Sequence, residues 1–314
     1  MQALALGSDD QMQLVEANVP APRRGEILVE VHAAPVNEID VEIRSGNWKS
    51  AVRKFRKSGP VVTGFELAGI ARSDGKTIRS GDRVTAYVHL FNGPRTHAGR
   101  VCVREHDLIA IPERMAFADA AALSSSALTA IEIVERLRPL GPNRRVLIVG
   151  ATGGAGIYTL QLAKSRGAHV TAVCSAANAE WIERHGADVV RDNAAASPFV
   201  KGDRFDLVVD TPAKYTRAKA APFLAPGGMY VTTNPFKDLG GFVVSIFSSR
   251  KSGYLLMLST TQAKLKRMID LHLQGTFVPV IDSRFGLAQA NEAFGRFATR
   301  GKRGRVILEM QHPN

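Results

Sequence analysis

The sequence predicts an α/β protein of two domains, one mostly antiparallel β and one built on a doubly wound parallel sheet. Three observations carry this. Residues Arg145 to Gly156, RVLIVGATGGAG, form a short apolar run that breaks into closely spaced glycines and then into the helical pattern YTLQLAKSRGA. From about Arg144 to Thr276 strand-like runs alternate with helix-like ones, as a parallel sheet with crossover helices requires. Before Arg144, short β-branched runs are separated by Gly, Pro, Asn and Asp, the pattern of antiparallel strands joined by turns. At 314 residues the chain is long enough for two cores.

In order along the chain, Ile27–Val31, Val61–Thr63, Leu67–Arg72, Val84–Val88 and Arg100–Val103 are the predicted strands of the first half. Val146 to Val149 then supply the continuous β-branched run of a strand buried on both faces. A helix is predicted from about Ile157. Leu160, Leu162 and Ala163 give it an apolar face, Lys164 and Arg166 suit the negative end of its dipole, and Gly167 stops it. His169–Cys174 is the next strand, Ala179–His185 a helix and Ala187–Arg191 a short strand. Phe205–Asp210 is a stronger strand, and Gly227–Gly228 leads into Met229–Thr233.

The glycine turn is the first motif with chemistry. A pyrophosphate needs backbone N–H groups at close range, the positive end of a helix behind them, and no Cβ in the way. Gly153, Gly154 and Gly156, with Ala155 and Ile157 in the same turn, meet that need. Ala151 stands where G-x-G-x-x-G has its first glycine, while Gly150, Gly153 and Gly156 give the rhythm G-x-x-G-x-x-G. A Gly-rich connection in an unrelated α/β fold is the bland alternative. The strand at His169, beginning where a helix of about three turns would return the chain to the sheet, favours dinucleotide binding.

Composition is that of an ordinary globular chain, 45% hydrophobic and 22% charged, without low complexity or short repeats. No apolar stretch is expected to reach the roughly 18 residues of a spanning helix, and MQALALGSDD does not read as a secretory signal, so a cytoplasmic protein is expected. Two cysteines, Cys102 and Cys174, fit a reducing compartment and cannot build a thiolate zinc cluster.

The 41 basic and 29 acidic residues give a net charge of +12, which attracts anionic partners. Part of it lies in NWKSAVRKFRKSG, where Lys49, Arg53, Lys54, Arg56 and Lys57 surround Trp48 and Phe55. More lies around the last strand, at Arg296, Arg300, Lys302, Arg303 and Arg305. Such runs either rim a cleft for an acidic substrate, such as an acyl thioester of coenzyme A, or are solvated faces. A nucleic-acid-binding module is a further reading, disfavoured because no aromatic-basic RNA-binding signature accompanies the charge.

The ordered segments PAPRRGEILVEVHAAPVNEID, PVVTGFELAGI, GDRV, AALSSSALTA, VLIVGATGGAG, GADVV, APGGMYV and GKRGRVIL resemble the medium-chain dehydrogenase/reductase superfamily. Within it they are most similar to the zinc-free quinone oxidoreductase, or zeta-crystallin-like, branch. The resemblance implies a GroES-like β domain from residues 1–115 and 277–314 and a Rossmann nucleotide-binding domain from residues 116–276. It also implies a homodimer and hydride transfer from C4 of a reduced nicotinamide. Zinc-dependent members place a cysteine where this chain has Asn37 in VNEID, and His-Glu where it has Phe65-Glu66. AALSSSALTA has no cysteine, and a structural lobe of four cysteines is missing. Tetrahedral zinc needs N or S donors at about 2.0 to 2.3 Å, so no metal site is expected. Without a Lewis acid, a quinone or an α,β-unsaturated carbonyl is the expected hydride acceptor; an enoyl-thioester reductase is the alternative.

Asn37 is the leading catalytic candidate. Its carboxamide can donate to a developing oxyanion or hold the nicotinamide amide, and it can equally fix the turn between strand and helix. Thr129 in SALTA matches a family position beside the cofactor, or is a helix-interior threonine bonding its own backbone. Trp48 stands where relatives often carry tyrosine; it can stack or donate its N–H but cannot deliver a proton. Gly99 and Arg100 replace acidic and aromatic residues of a family strand. Tyr87 and Tyr254 remain as candidate proton donors.

The second strand of the Rossmann half ends VCSAANAEW, without the acid that binds the ribose diol of NAD, so NADPH is favoured over NADH. Ser175 can bond a phosphate oxygen, Asn178 stands where relatives often carry lysine, and Asn193 where they often carry tyrosine. Thr211, Thr232, Thr233 and Asn234 follow strands at their carboxyl ends, where ligands gather in open α/β sheets, although each also reads as a polar loop residue. Val243 to Leu258 is apolar enough to line a cleft or a dimer interface.

Overall fold

The computed structural model describes residues 1–7, 11–46, 62–88, 95–247, 251–254 and 260–312. It divides into two compact units, Met1–Ser125 with Leu258–Asp270 and Pro279–Asn314, and Ser126–Met257 with Leu271–Val278.

In the first unit, β1 (Gln2–Leu6) and β2 (Met12–Glu16) form a two-stranded sheet. A seven-stranded sheet is built on β3 (Glu26–Pro35), β4 (Glu66–Ala71), β5 (Arg83–Tyr87), β6 (Arg100–Arg104) and β7 (Leu108–Ala110). Two strands from the far end of the chain, β14 (Ile281–Gly286) and β15 (Arg305–Glu309), complete it. All its pairings are antiparallel except β14 with β15.

The ten-residue β3 organises this sheet. Its first half pairs with β6, its last three residues pair with β15, and a register shift between Val31 and Ala33 marks the change of course. Val29, Val31, Leu67, Val84, Leu108, Val306 and Leu308 are core residues of the unit. Helix α1 (Glu38–Arg44) follows β3 directly, with Asn37 as its N-cap. Of the strand predicted at Val61–Thr63, Val61 lies outside the described residues and Val62 makes one isolated bridge, to Ala5.

Helix α2 (Phe117–Ile131) is broken at Ser124 (φ −8°, ψ −114°), and the two units divide beside it, between Ser125 and Ser126 rather than at residue 115. Leu258–Asp270 likewise groups with the first unit. Gln262 anchors it, its side-chain amide donating to the carbonyls of Glu105 (3.2 Å) and Leu108 (3.4 Å).

Contrary to the expectation from sequence, one helix, Phe117–Leu137, is long and apolar enough to cross a membrane by length and composition. Its serines and glutamates interrupt the apolar run when read linearly. In the fold, 83% of its most apolar window is buried in protein, as for a core helix.

The second unit is a six-stranded sheet, all of it parallel: β8 (Arg145–Val149), β9 (His169–Cys174), β10 (Val189–Asp192), β11 (Phe205–Asp210), β12 (Leu224–Thr232) and β13 (Lys251–Tyr254). The spatial order is β10-β9-β8-β11-β12-β13, the doubly wound 3-2-1-4-5-6 arrangement. Helix α3 (Gly154–Ser165) begins three residues before the predicted Ile157, because Gly153 is its N-cap. Helix α4 (Ala179–Arg184) follows β9 as predicted. The turn after β8 lies where the strand order reverses, at the carboxyl ends of β8 and β11, which is where such sheets hold their ligands.

Candidate active site

In the first unit the candidate site begins at the β3–α1 junction. Asp40, fully buried, accepts the backbone N–H of Asn37 on Oδ2 (2.9 Å) and that of Gly64 on Oδ1 (2.8 Å); burial raises its pKa. Gly64 is in the left-handed region (φ +92°), and a Cβ there would stand 2.3 Å from Thr96 Oγ1. Only glycine fits at this point of PVVTGFELAGI. The segment it turns delivers Glu66 to the start of β4, with no exposure to solvent.

The two oxygens of Glu66 are engaged on every side. Oε2 accepts the N–H of Ser125 (2.7 Å), and Oε1 accepts both the Ser125 hydroxyl (2.6 Å) and Nη2 of Arg305 (2.9 Å). Arg305 opens β15 and is itself 7% exposed. The same Nη2 donates to Asn37 Oδ1 at 2.7 Å. With its oxygen turned to the guanidinium, Asn37 Nδ2 makes, among the described residues, one long contact, 3.5 Å to the carbonyl of Pro35. A bond of that length is weak, so Asn37 retains a donor N–H of fixed orientation. Asn37 is thus both the helix cap and part of a polar constellation.

These positions do not fit tetrahedral zinc. The candidate donors are an amide oxygen and a carboxylate oxygen, both bonded to an arginine, with Phe65 and serines where nitrogen or sulfur ligands would be required. Among the described residues, the group with metal-ligand chemistry is Glu30, His32 and His312, whose ligand atoms lie within 4.8 Å of one another. Its contacts are those of an ion-pair cluster. Glu30 is bound by Arg72 (2.6 Å) and Arg100 (3.0 Å), and His312 Nε2 lies 2.7 Å from the carbonyl of Val31. The hydrogen bond from Arg72 is the chief cause that holds the Glu30 carboxyl down at about 2.

Tyr87 ends β5, opposite Glu66 in register, and is buried. Burial, and then the carboxylates of Glu66 and Asp40, push its phenol well above the ordinary value, which makes it a poor acid. Trp48 and the basic run from Lys49 to Lys57 lie outside the described residues, as do the side chain of Tyr254 and residues 255–259.

In the second unit, Gly150 is left-handed (φ +76°), and a Cβ on it would meet Thr211 Oγ1 at 2.6 Å. A Cβ on Gly156 would stand 2.1 Å from the carbonyl oxygen of Gly150, so α3 can approach the turn only because this residue has no side chain. Gly153 gives α3 no side-chain cap. The N–H groups of Gly154, Ala155 and Gly156 therefore form an open first turn, matched to a pyrophosphate. Ile157 differs from expectation: its N–H is bonded to Gly153 O (2.9 Å) and its side chain is fully buried, so it packs the fold.

Thr211, Thr232, Thr233 and Asn234 do come together beyond β11 and β12. Thr211 Oγ1 donates to Val149 O (3.1 Å), Thr233 Oγ1 donates to Thr211 O (2.7 Å), and Thr232 Oγ1 accepts from Asn234 N (3.3 Å). These hydroxyls shape the loops. Ser175, half-buried, follows β9, and the N–H of Asn193 donates to Cys174 O at 2.8 Å, joining the ends of β9 and β10. Asn178, in the same turn, is only 3% exposed. Thr129 is buried within α2.

An antiparallel β unit, a doubly wound unit and a glycine turn at its switch point together define a dinucleotide-binding protein. Residues 23–131 match the alcohol dehydrogenase GroES-like domain, and residues 185–308 match the zinc-binding dehydrogenase family. The chain is 30% identical over 314 residues to the chloroplast envelope quinone oxidoreductase homolog of Arabidopsis thaliana, covering 95% of this chain and 94% of that one. It is 33% identical over 324 residues to the human mitochondrial NAD(P)H oxidoreductase RTN4IP1, covering 91% and 82%. The solved quinone oxidoreductase of Coxiella burnetii has the same fold, with a TM-score of 0.89 at 24% identity over 99% of both chains. The chain belongs to the medium-chain dehydrogenase/reductase superfamily, in its quinone oxidoreductase branch. It is an NAD(P)H oxidoreductase.

Asn37 stands out from its local motif, whereas Glu66, Ser125 and Arg305 join the site only in the fold. Their signal is the charge itself: an acid opening ELAGI and an arginine opening RVIL sit at the edge of apolar strands, where burial demands a partner.

Proposed function

We propose that this protein is a zinc-independent reductase that uses NADPH to deliver hydride to a quinone or an α,β-unsaturated carbonyl, and that it acts as a cytoplasmic homodimer. The observation that carries this reading is the guanidinium of Arg305 held between Asn37 and Glu66, where zinc-dependent relatives keep their metal ligands. Bound NADPH supplies a hydride from C4 of its nicotinamide. The chain supplies orientation and dipoles. Asn37 Nδ2–H donates to the substrate oxygen on which negative charge develops, and Arg305 prevents the amide from flipping and adds a positive charge behind it. Such a donor is weaker than a Lewis acid, which favours acceptors whose carbon is already electrophilic. Tyr87 is too weak an acid for the proton, and solvent protonates the product oxygen.

NADPH is favoured by the absence of an acid in the Ser175–Asn178 turn. Dimerisation is supported by β13, the last strand in its sheet among those described, and by the helix before it. On and beside that helix Leu239, Val243, Val244 and Phe247 are 59%, 56%, 54% and 87% exposed, an apolar patch of the kind that marks an interface.

Fluorescence titration with NADPH and NADH, followed by NADPH oxidation with a small quinone, an enone and an enoyl thioester, tests the proposal. Tighter binding of NADPH with turnover of the quinone or enone is expected. Binding of neither nucleotide overturns it, and turnover confined to the thioester reassigns the substrate.

A further inference from the structure

The edge of the second unit that reads the adenosine ribose lacks the cation its relatives often carry there, since Asn178 occupies that position and is buried. A cation reaches this edge from another loop. Lys214, exposed and four residues beyond β11, directs Nζ to the backbone oxygen of Asn193 at 2.8 Å. The N–H of Asn193 is bonded in turn to Cys174 O, next to Ser175. The ammonium is thereby tied to the ends of β9 and β10, beside the turn whose missing acid favours a 2′-phosphate.

The loop that presents Lys214 is over-determined. The buried carboxylate of Asp210 accepts the N–H of Lys214 (3.0 Å) and of Tyr215 (2.6 Å). The hydroxyl of Tyr230 ties the same turn together, donating to the carbonyl of Tyr215 (2.7 Å) and lying 3.2 Å from Asp210. Ala213, immediately before Lys214, is a non-glycine residue in the left-handed region (φ +51°), a strained conformation that persists only where its surroundings enforce it. Nζ also lies 5.5 Å from the centroid of the Tyr215 ring, and of its three donors the one on Asn193 leaves others to turn towards a ligand.

Of the other charged groups at this edge, one cation is paired and one exposed carboxylate, Asp192, remains. Arg191 on β10 is bound bidentately by Asp203 (2.6 and 2.9 Å). Asp192 accepts the N–H of Ala194 (3.0 Å), closing its own turn. Ala176 and Ala177 in the turn after β9 are exposed and small.

From this arrangement we infer that Lys214, with Ser175, forms the subsite for the 2′-phosphate of the dinucleotide, taking over from a different loop the role of the lysine that Asn178 replaces. The inference rests on the NADPH reading above. Lys214 is a specificity-determining residue that touches the adenosine end and leaves the hydride step alone. Because it is exposed and a carboxylate stands nearby, its contribution to the 2′-phosphate preference is roughly tenfold, one charge-assisted contact.

The test is calorimetric titration of the full chain with adenosine 2′,5′-bisphosphate and with 5′-AMP, for wild type, Lys214→Met and Lys214→Arg, after matching their thermal unfolding. Wild type should prefer the bisphosphate. Lys214→Met should lose roughly tenfold in affinity for it and nothing for 5′-AMP, while Lys214→Arg keeps most of the preference. An unchanged preference in Lys214→Met, or an equal loss on both ligands, overturns the role of Lys214 and leaves the NADPH reading intact. No preference in wild type overturns the NADPH reading itself, and this inference with it.

Discussion

Arg305→Met is the perturbation that bears most directly on the polar constellation of the first unit. It leaves Glu66 wholly buried with the two hydrogen bonds from Ser125, and removes the guanidinium that donates to Asn37 Oδ1. Removing one partner of a buried ion pair costs about 3–5 kcal/mol, because the other charge stays in the interior uncompensated. Glu66→Gln removes the charge paired with the 7%-exposed Arg305 and should cost a similar amount. The double variant removes both charges and retains the volume, so it should fall short of the sum of the singles by at least about 2 kcal/mol. Urea unfolding of the four proteins, read as midpoint and slope, measures the cycle. Additivity within about 0.5 kcal/mol, or a cost below about 1 kcal/mol for Arg305→Met, would refute the claim that these residues form one buried unit.

Gly156→Ala places a Cβ 2.1 Å from the backbone oxygen of Gly150; it should cost about 1–3 kcal/mol in urea unfolding and abolish NADPH quenching of protein fluorescence, whereas full binding would contradict the packing of α3 against the turn. Arg72 holds the Glu30 carboxyl at about 2, below its ordinary 4.5, so its stabilisation is complete above pH 4.5 and is lost as pH falls towards 2. Arg72→Ala should therefore flatten the acid limb of thermal unfolding over that window and lower stability at neutral pH. Val244→Glu puts a charge into the exposed apolar patch; light scattering after size exclusion should give a dimer for wild type and a monomer for the variant, with stability changed by no more than about 0.5 kcal/mol.

The parallel sheet was legible because strands buried on both faces must be continuous apolar runs. His169–Cys174 and Phe205–Asp210 have the predicted bounds for that reason. The hairpin β1–β2 and the edge strand β14, IDSRFG, were not legible: they are short and partly exposed, and their polar residues carry no clear alternation. Asn37 could be singled out from a local motif. Its partner Arg305 lies 268 positions away, and Arg305 is 239 positions from Glu66, so only the closure of β15 onto β3 assembles them. Lys214 was hidden for a related reason, since the loop after one strand supplies a group that the local motif after another strand lacks.

Hydride transfer without a metal is tested most directly by NADPH oxidation with protein exhaustively dialysed against chelator, zinc content being determined on the same sample. Turnover of a quinone or enone at an undiminished rate is expected, with zinc far below one equivalent and no gain when zinc is restored. Activity that disappears with the metal and returns with stoichiometric zinc would contradict it.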